Sequence, residues 1–565
     1  MDKLMSRLYF KLFFIFFVFT NTLSLGYFKI ETNPLVYLVM IWSILLFGYE
    51  IYSKKMEFKR YNILLLILYA SLLLFATYLN KTYSNMNSYI MCFTQFIIFI
   101  FIFSNPKHMT LDDIKHEIRI IIPFSSVLVF IGGVLSLFMF LFNLSLTNNG
   151  AYLGLVGSRL FGVYFNCNPA SILACMMIVF AFIAIRNKYK YRFFYILNII
   201  IQTLYIILTG CRVSLLILAL IIFGAMYYKV FKDRKYSKFR QIALAFVTCI
   251  LVLFGSGITQ KALLVIPQVQ GLVIEKGERF QFEKMIEIAS LIKEGKSENI
   301  HKIIVLVDDI SSGRVELLHT SYQVWKQSPI FGIGANNFRR MGMMIDPGAS
   351  VIQAPQVVHA HNLFVEALLT SGVFGLCIML VFAFKSFIMI WNTLKKYAHH
   401  ASYFIVLMMS LLVLSEFIAG MFDYGVFYVY SLSSTIAWCF LGYLYWFNDH
   451  QVVQLVNSSS AYEFINYHLC NVNVQRKDKE VLKKVKLDEI SREIQGEYFI
   501  IKIRIQYLYE QSVASFIYDG SFKIIDQVII EDEMFDTKRM QEELYDMVQH
   551  DIKHLMNDVD ERESF

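Results

Sequence analysis

The chain alternates apolar runs of membrane length with short connections whose positive charges keep to one side of the membrane. An α-helix needs about 20 apolar residues to cross about 30 Å of hydrocarbon, whereas barrel strands would appear as short alternating segments. On that criterion hydropathy predicts about twelve helical spans, near 8–28, 34–52, 61–79, 88–104, 119–142, 168–186, 193–209, 212–229, 240–258, 362–391, 402–422 and 425–447. Composition agrees: with 57% hydrophobic and only 17% charged residues among 565, a soluble globular protein is excluded.

The connections set the orientation. "SKKMEFKR" (53–60), "RNKYKYR" (186–192), "KVFKDRKYSKFR" (229–240) and "NTLKKYAHH" (392–400) fall on one side, which the positive-inside tendency makes cytoplasmic. Both termini are then cytoplasmic, and "MDKLMSRLYFKLFFIFFVFT", with no small-residue cleavage site after it, reads as an uncleaved first span. The net charge of +8 flanks the spans instead of forming one patch, so nucleic acid is not an expected partner; the bilayer is. Eight scattered cysteines show no metal-ligand spacing and read as small core residues, with no metal site and no disulfide framework.

Two segments break the rhythm. An external loop over 259–360 is too long for a mere connector. Within it "SGRVELLHTSYQVWKQS" predicts an amphipathic helix that buries Val315, Leu318, Tyr322 and Trp325, followed by the glycine-rich "PIFGIGANNF". Beyond Asp449 the composition becomes that of a soluble chain, and a small cytoplasmic α+β domain is expected over 449–565. There "EVLKKVKLDEISRE" has helical spacing, "FIIKIRIQYLY" alternates as a strand, Asp519-Gly520 marks a turn, and Met540, Leu544, Met547 and Leu555 fit a last helix. Without nucleophile, metal or phosphate motif, that domain is read as regulatory or as a docking site.

Ionisable groups at a span are costly, about 2.5–3.5 kcal/mol at a helix centre, and those at the outer ends of the spans are the candidates for function. Arg159 precedes span six, Arg212 opens span eight and Arg314 opens the loop helix. Three external arginines oppose the positive-inside tendency, and guanidinium forks suit diphosphate oxygens. "HAHNLFVEALL" adds His359, His361, Asn362 and Glu366 where the loop meets span ten. Neutral imidazole is suited to accept a proton near pH 7, and Glu366 stands where it could orient a histidine or an arginine. Glu416 and Asp423 are read as counter-charges, and Lys385 as a snorkelling residue.

Taken in order, "RLFGVYFNCNPAS", "LTGCRVSLLILAL", "SSGRVELLHTSYQVWKQSPIFGIGANNF" and "HAHNLFVEALLTSGVFGL" resemble the O-antigen ligase and Wzy-type polysaccharide polymerase superfamily. Arg159, Arg212, Arg314, Trp325, Pro329, Gly332, Gly334, His361 and Asn362 occupy its motif places. The chain departs from the family pattern in "FNCNPAS", where Asn precedes Pro, and in the cytoplasmic tail. The resemblance implies an all-α polytopic fold of the GT-C type and a metal-independent, cofactor-free glycosyltransferase. Its donor would be an oligosaccharide on undecaprenyl diphosphate, its acceptor a glycan hydroxyl, and its location the outer face of a bacterial cytoplasmic membrane, in capsule, exopolysaccharide or O-antigen assembly. Arg159, Arg212 and Arg314 would then clamp the diphosphate, with His361 the general base, His359, Asn362, Glu366 and Trp325 in support, and assembly proteins meeting the tail. A twelve-span secondary transporter of an anionic solute is the competing reading.

Overall fold

The computed structural model describes residues 5–25, 33–54, 60–106, 109–148, 151–156, 158–232, 255–265, 313–349, 359–397, 402–422 and 431–449. It also describes positions 247, 291 and 302 and six strands between 474 and 529. In chain order the helices are α1 (Arg7–Thr22), α2 (Asn33–Tyr52), α3 (Ile63–Leu79), α4 (Met86–Ile97, continued as π-helix to Phe103) and α5 (Leu111–Leu141). After strands β1 (Ser145–Asn148), β2 (Ala151–Val156) and β3 (Arg159–Gly162) come α6 (Cys167–Arg186), α7 (Arg192–Thr209) and α8 (Arg212–Lys232). Then follow α9 (Arg314–Trp325), α10 (Phe338–Ile345), α11 (Leu363–Lys396), α12 (Tyr403–Phe422) and α13 (Leu432–Asp449).

Every predicted span except that near 240–258 falls on one of these helices; most of that span, much of the external loop and the predicted last helix lie outside the described residues. Among the described residues seven helices are long and apolar enough to cross a membrane. Their outward faces are apolar, as on α2, where Ile44 is 70% and Leu45 56% exposed, which suits lipid and not water. The chain is a multi-pass membrane protein.

Contacts between helix ends sort the connections onto two sides. At one end, Ser24 beyond α1 donates to Tyr152 of β2 at 3.1 Å, the α3–α4 turn holds residues 332–340, and Asn362 ahead of α11 donates to Met421 of α12 at 2.9 Å. At the other end a buried ionic network ties α1 to four elements. Arg7 makes a two-pronged pair with Glu50 of α2, 2.6 Å on each side, and donates to Ser104. One turn on, Lys11 reaches Glu117 of α5 at 2.7 Å, and Glu117 also accepts from Tyr443 of α13 at 2.6 Å. Lys11 is fully buried, so each charge depends on its partner for solvation.

Three features depart from the sequence reading. Residues 145–162 form a three-stranded antiparallel sheet where only a loop was expected, so the membrane unit is not wholly helical. Helix α9 buries Leu317, Thr320, Ser321 and Val324, while Leu318 and Tyr322 are exposed. The 3.6-residue period fits both faces; Val324 decides between them by packing with Ile333, Phe338 and Leu369. The third departure is inside α11, where Gly372 adopts φ +66°, ψ −168° and splits the predicted tenth span into 363–371 and 373–396.

The split is filled by the loop. In an unbroken helix Val373 and Phe374 would donate to the carbonyls of Leu369 and Thr370. Instead those carbonyls accept from Ile333 (2.7 Å) and Gly334 (3.0 Å), and the two N–H groups donate to Pro329 (3.0 Å) and Ile330 (3.4 Å). The segment 329–334 thus takes over all four backbone groups that the break releases, which apolar surroundings would otherwise penalise heavily. The approach is backbone to backbone: a Cβ on Gly332 would lie 2.5 Å from Gly372 N, one on Gly372 2.1 Å from Ile330 O, and one on Gly334 2.5 Å from Thr77 Cα. All three have positive φ, so glycine is required twice over.

Compact units divide the chain into Met1–Trp391 with Phe404–Trp446, and Asn392–Tyr403 with Phe447–Phe565. In the second, β4 (Val474–Gln475) pairs β5 (Val481–Leu482), and β6 (Lys486–Gln495), β7 (Tyr498–Tyr507), β8 (Glu510–Tyr518) and β9 (Ile524–Ile529) form an antiparallel meander. The predicted helix at "EVLKKVKLDEISRE" is therefore replaced by strand: β6 pairs with β7 along its length, with a bulge between Glu489 and Ser491 that disguises its alternation.

Gly372→Ala or Gly332→Ala should cost about 1–3 kcal/mol in backbone strain alone and more through the clash. The amount of monodisperse protein and its thermal midpoint in detergent report this, with Gly348→Ala, which meets only Asp346 Oδ1 at 3.9 Å, as the neutral control. Lys11→Met should destabilise by about 3–5 kcal/mol because Glu117 is left buried and uncompensated. The double variant Lys11→Met/Glu117→Gln should recover much of that loss in the same assay.

Candidate functional site

The sequence candidates gather at the end of the membrane unit that carries the sheet and the loop. Arg159 opens β3, paired with Val156 across the β2–β3 turn. Its Nε donates to the carbonyl of Thr209 at 2.9 Å, and Nη2 donates to Asn168 Oδ1. Thr209 ends α7, where carbonyls lack helical partners and the dipole favours a cation. Asn166 accepts from the N–H of Asn168 at 3.0 Å and caps α6, so the two asparagines of "FNCNP" have separate tasks: one starts the helix, the other holds the arginine. With two donors committed to protein, the guanidinium plane is fixed while the fork retains further N–H groups for an oxyanion.

Arg212 is exposed at the first position of α8, three residues after the carbonyl that Arg159 holds. The intervening turn is made by Gly210 at φ +67°. Gln260, which sequence reasoning overlooked, is buried and donates to the carbonyls of Ser158 at 3.2 Å and Leu208 at 3.5 Å, clasping the sheet to the end of α7. Tyr164 sits beneath the sheet, donating to Val129 at 3.4 Å; burial pushes its phenol well above the ordinary range, so it stays neutral. Glycine at position 132 makes room for it, since a Cβ there would fall 2.3 Å from the phenol oxygen.

A second group forms on the end of α12. Arg314, exposed at the start of α9, donates to the carbonyl of Phe422 at 2.9 Å, and Asn362 donates to the neighbouring carbonyl of Met421 at 2.9 Å. Asn362 is also the N-cap of α11, its Oδ1 accepting from Phe364 and Val365 at 3.0 and 3.1 Å. His361, just before it, adopts the left-handed conformation at φ +48°, a strained state for a non-glycine residue. Its ring meets that of buried His359 edge to face at 4.4 Å. Buried Glu366 accepts from the N–H of Ala360 at 2.7 Å, so its carboxylate holds the backbone between the two histidines. Trp325 donates to the carbonyl of Pro329 at 3.3 Å and so supports the loop segment that fills α11. Glu416 is buried within α12, and Asp423 lies outside the described residues.

The two groups stand level on adjacent helices. Gly224 of α8 packs against Leu411 of α12, where a Cβ would fall 2.3 Å from Leu411 Cδ1, and Tyr228 meets Phe404 edge to face with ring centroids 4.9 Å apart, so the helices run antiparallel. From that contact α8 rises about 18 Å back to Arg212 and α12 about 16 Å on to Phe422 at 1.5 Å per residue. Arg212 and the carbonyl that anchors Arg314 therefore end at matched height. Cations on rigid helix ends beside a histidine can bind a polyanion and move a proton. Among the described residues no group of three or more His, Cys, Asp or Glu is placed to hold a metal ion.

Residues 197–380, about a third of the chain, match the family model described as O-antigen ligase. The match takes in Arg212, Arg314, Trp325, the segment 329–334, His361 and the split in α11, and leaves Arg159 outside. No curated protein matches the chain. This match bears out the resemblance drawn from the motifs and supports a function of polysaccharide ligase or polymerase type.

Asn362→Ala should cost about 0.5–2 kcal/mol through the lost cap and release the tie to Met421. Hydrogen exchange at the amides of 364 and 365 should quicken in Asn362→Ala and stay slow in Asn362→Asp, which keeps the capping oxygen.

Proposed function

We propose that this chain, through its O-antigen ligase domain, joins lipid-diphosphate-linked oligosaccharide units to an acceptor sugar hydroxyl at the outer face of a bacterial cytoplasmic membrane. The observation that carries the reading is the pairing of Arg314 and Asn362 on consecutive carbonyls of α12, with the constrained His361 between the cap and buried His359. Arg212 on the neighbouring helix supplies a second guanidinium, and Arg159, held on the Thr209 carbonyl three residues before Arg212, a third.

In this mechanism the arginines bind the diphosphate and offset the charge it gains as the bond between anomeric carbon and phosphate oxygen breaks. The acceptor oxygen forms the new glycosidic bond, its proton passes to the imidazole of His361, and the diphosphate leaves on its lipid. Polymer assembly of capsule or exopolysaccharide type is favoured, with a complement of about twelve spans and both termini in the cytoplasm. A carrier would use a broken helix to line a substrate path. Here the loop backbone already occupies the break in α11, which removes the main structural argument for the transporter reading.

The test uses full-length protein in lipid nanodiscs and lipid-linked oligosaccharide extracted from source cells that lack this chain. Wild type should yield extended glycan together with the released polyprenyl diphosphate. His361→Ala should lower turnover by about 100-fold or more, and Arg314→Ala should weaken donor use and turnover together. Unchanged polymer from either variant would remove that residue from the mechanism, and no glycosidic product from wild type would overturn the assignment.

A further inference from the structure

The histidine segment is held by a chain of contacts that begins on a helix outside the matched family region. Thr77, near the end of α3, accepts from the N–H of Ala335 through Oγ1 at 3.0 Å while donating to Leu73 at 2.7 Å. Asn80, one turn on, donates to Gly332 at 3.2 Å and to Ala76 at 2.9 Å. Between these two grips lie Ile333 and Gly334, whose N–H groups bind Leu369 and Thr370 on the short outer piece of α11. The Thr370 hydroxyl donates to the carbonyl of Glu366 at 2.8 Å, and the Glu366 carboxylate accepts from Ala360, the residue before His361. Thr77, Glu366 and Thr370 are buried and Asn80 is half-buried, and Gly334 lies too close to Thr77 for any side chain to intervene.

The break at Gly372 makes this path mechanically significant. Residues 363–371 are severed from the membrane-crossing part of α11, so their position does not follow from that helix. It follows from the two ends of the short piece: the Asn362 tie to α12 at one, and the inserted loop at the other. The inserted loop in turn takes its place from α3.

We propose that Thr77, with Asn80 beside it, is a positioning residue for the candidate site: α3 sets the seat of the inserted loop, and through it the placement of His361. The inference rests on the reading of His361 as the group that accepts the proton. Its geometrical content, that α3 governs the order of the 360–361 backbone, stands independently of any activity. Three variants of the full chain in nanodiscs test it. Thr77→Val keeps the shape but removes the hydroxyl, Thr77→Ser keeps the hydroxyl, and Asn80→Ala removes the second grip.

Hydrogen exchange followed by mass spectrometry should show the amides at 360 and 361 opening at least tenfold faster in Thr77→Val and in Asn80→Ala. Exchange should be near wild type in Thr77→Ser, and amides 160–162 of the sheet should be unchanged throughout. Unaltered exchange at 360–361, or an equal rise in the sheet from general loosening, would overturn the proposal. With the extracted lipid-linked oligosaccharide, Thr77→Val should lower kcat at least tenfold with KM within about twofold, and Thr77→Ser should restore most of it. If wild type makes no glycan while the exchange pattern appears, the functional reading fails and the positional link stands. If wild type is active and Thr77→Val retains its kcat, the positioning role fails alone.

Discussion

The membrane unit turns on one exchange of hydrogen bonds: the backbone of 329–334 takes the place that α11 denies to itself at Gly372. Four peptide groups surrendered by the helix are recovered from an element that is not a helix, so loop and span complete each other. The cost is steric. Two backbone segments can come this close only where side chains are missing, which is why glycine at 332 faces glycine at 372, and glycine at 334 faces the backbone of Thr77. The loop is consequently part of the core at this end of the unit, and α3, α9 and α11 are linked through it.

The polar groups at that end follow a second rule. Arg159, Arg314 and Asn362 all donate to carbonyls at or next to the C-terminal end of a helix, Thr209 for the first and Phe422 and Met421 for the others. Such carbonyls have no partner in their own helix and carry the negative end of its dipole. A guanidinium satisfies both needs with part of its donor set and is held in orientation by rigid elements. This resolves the puzzle of cations at the mouth of apolar helices: they complete helix ends while presenting positive charge outward.

The spans and the order of the site motifs were legible in the sequence because both are written locally, one as apolar length and the other as short strings around arginine, glycine and histidine. What could not be read depended on partners. Gly372 sits in "SGVFGL", an ordinary apolar run, and only the loop that meets it reveals the break. The period of α9 allowed two faces, and Val324 was chosen by its neighbours and not by its spacing. Strand β6 looked helical because a bulge shifts its alternation halfway. Thr77 and Asn80 carried no signal at all, being common helix-end residues whose importance lies in a contact more than 250 positions away. The roles of Asn166 and Asn168 emerged only when one was seen capping α6 and the other gripping Arg159.

The ionic network on α1 has a consequence for how the protein is made. Lys11 meets Glu117 across 106 positions, and the tyrosine that shares that carboxylate arrives 326 positions later still. A nascent chain halted before residue 443 therefore carries a buried cation-carboxylate pair whose third member does not exist. The buried network around α1 is therefore complete only once α13, the last helix of the membrane unit, has been made and packed against it.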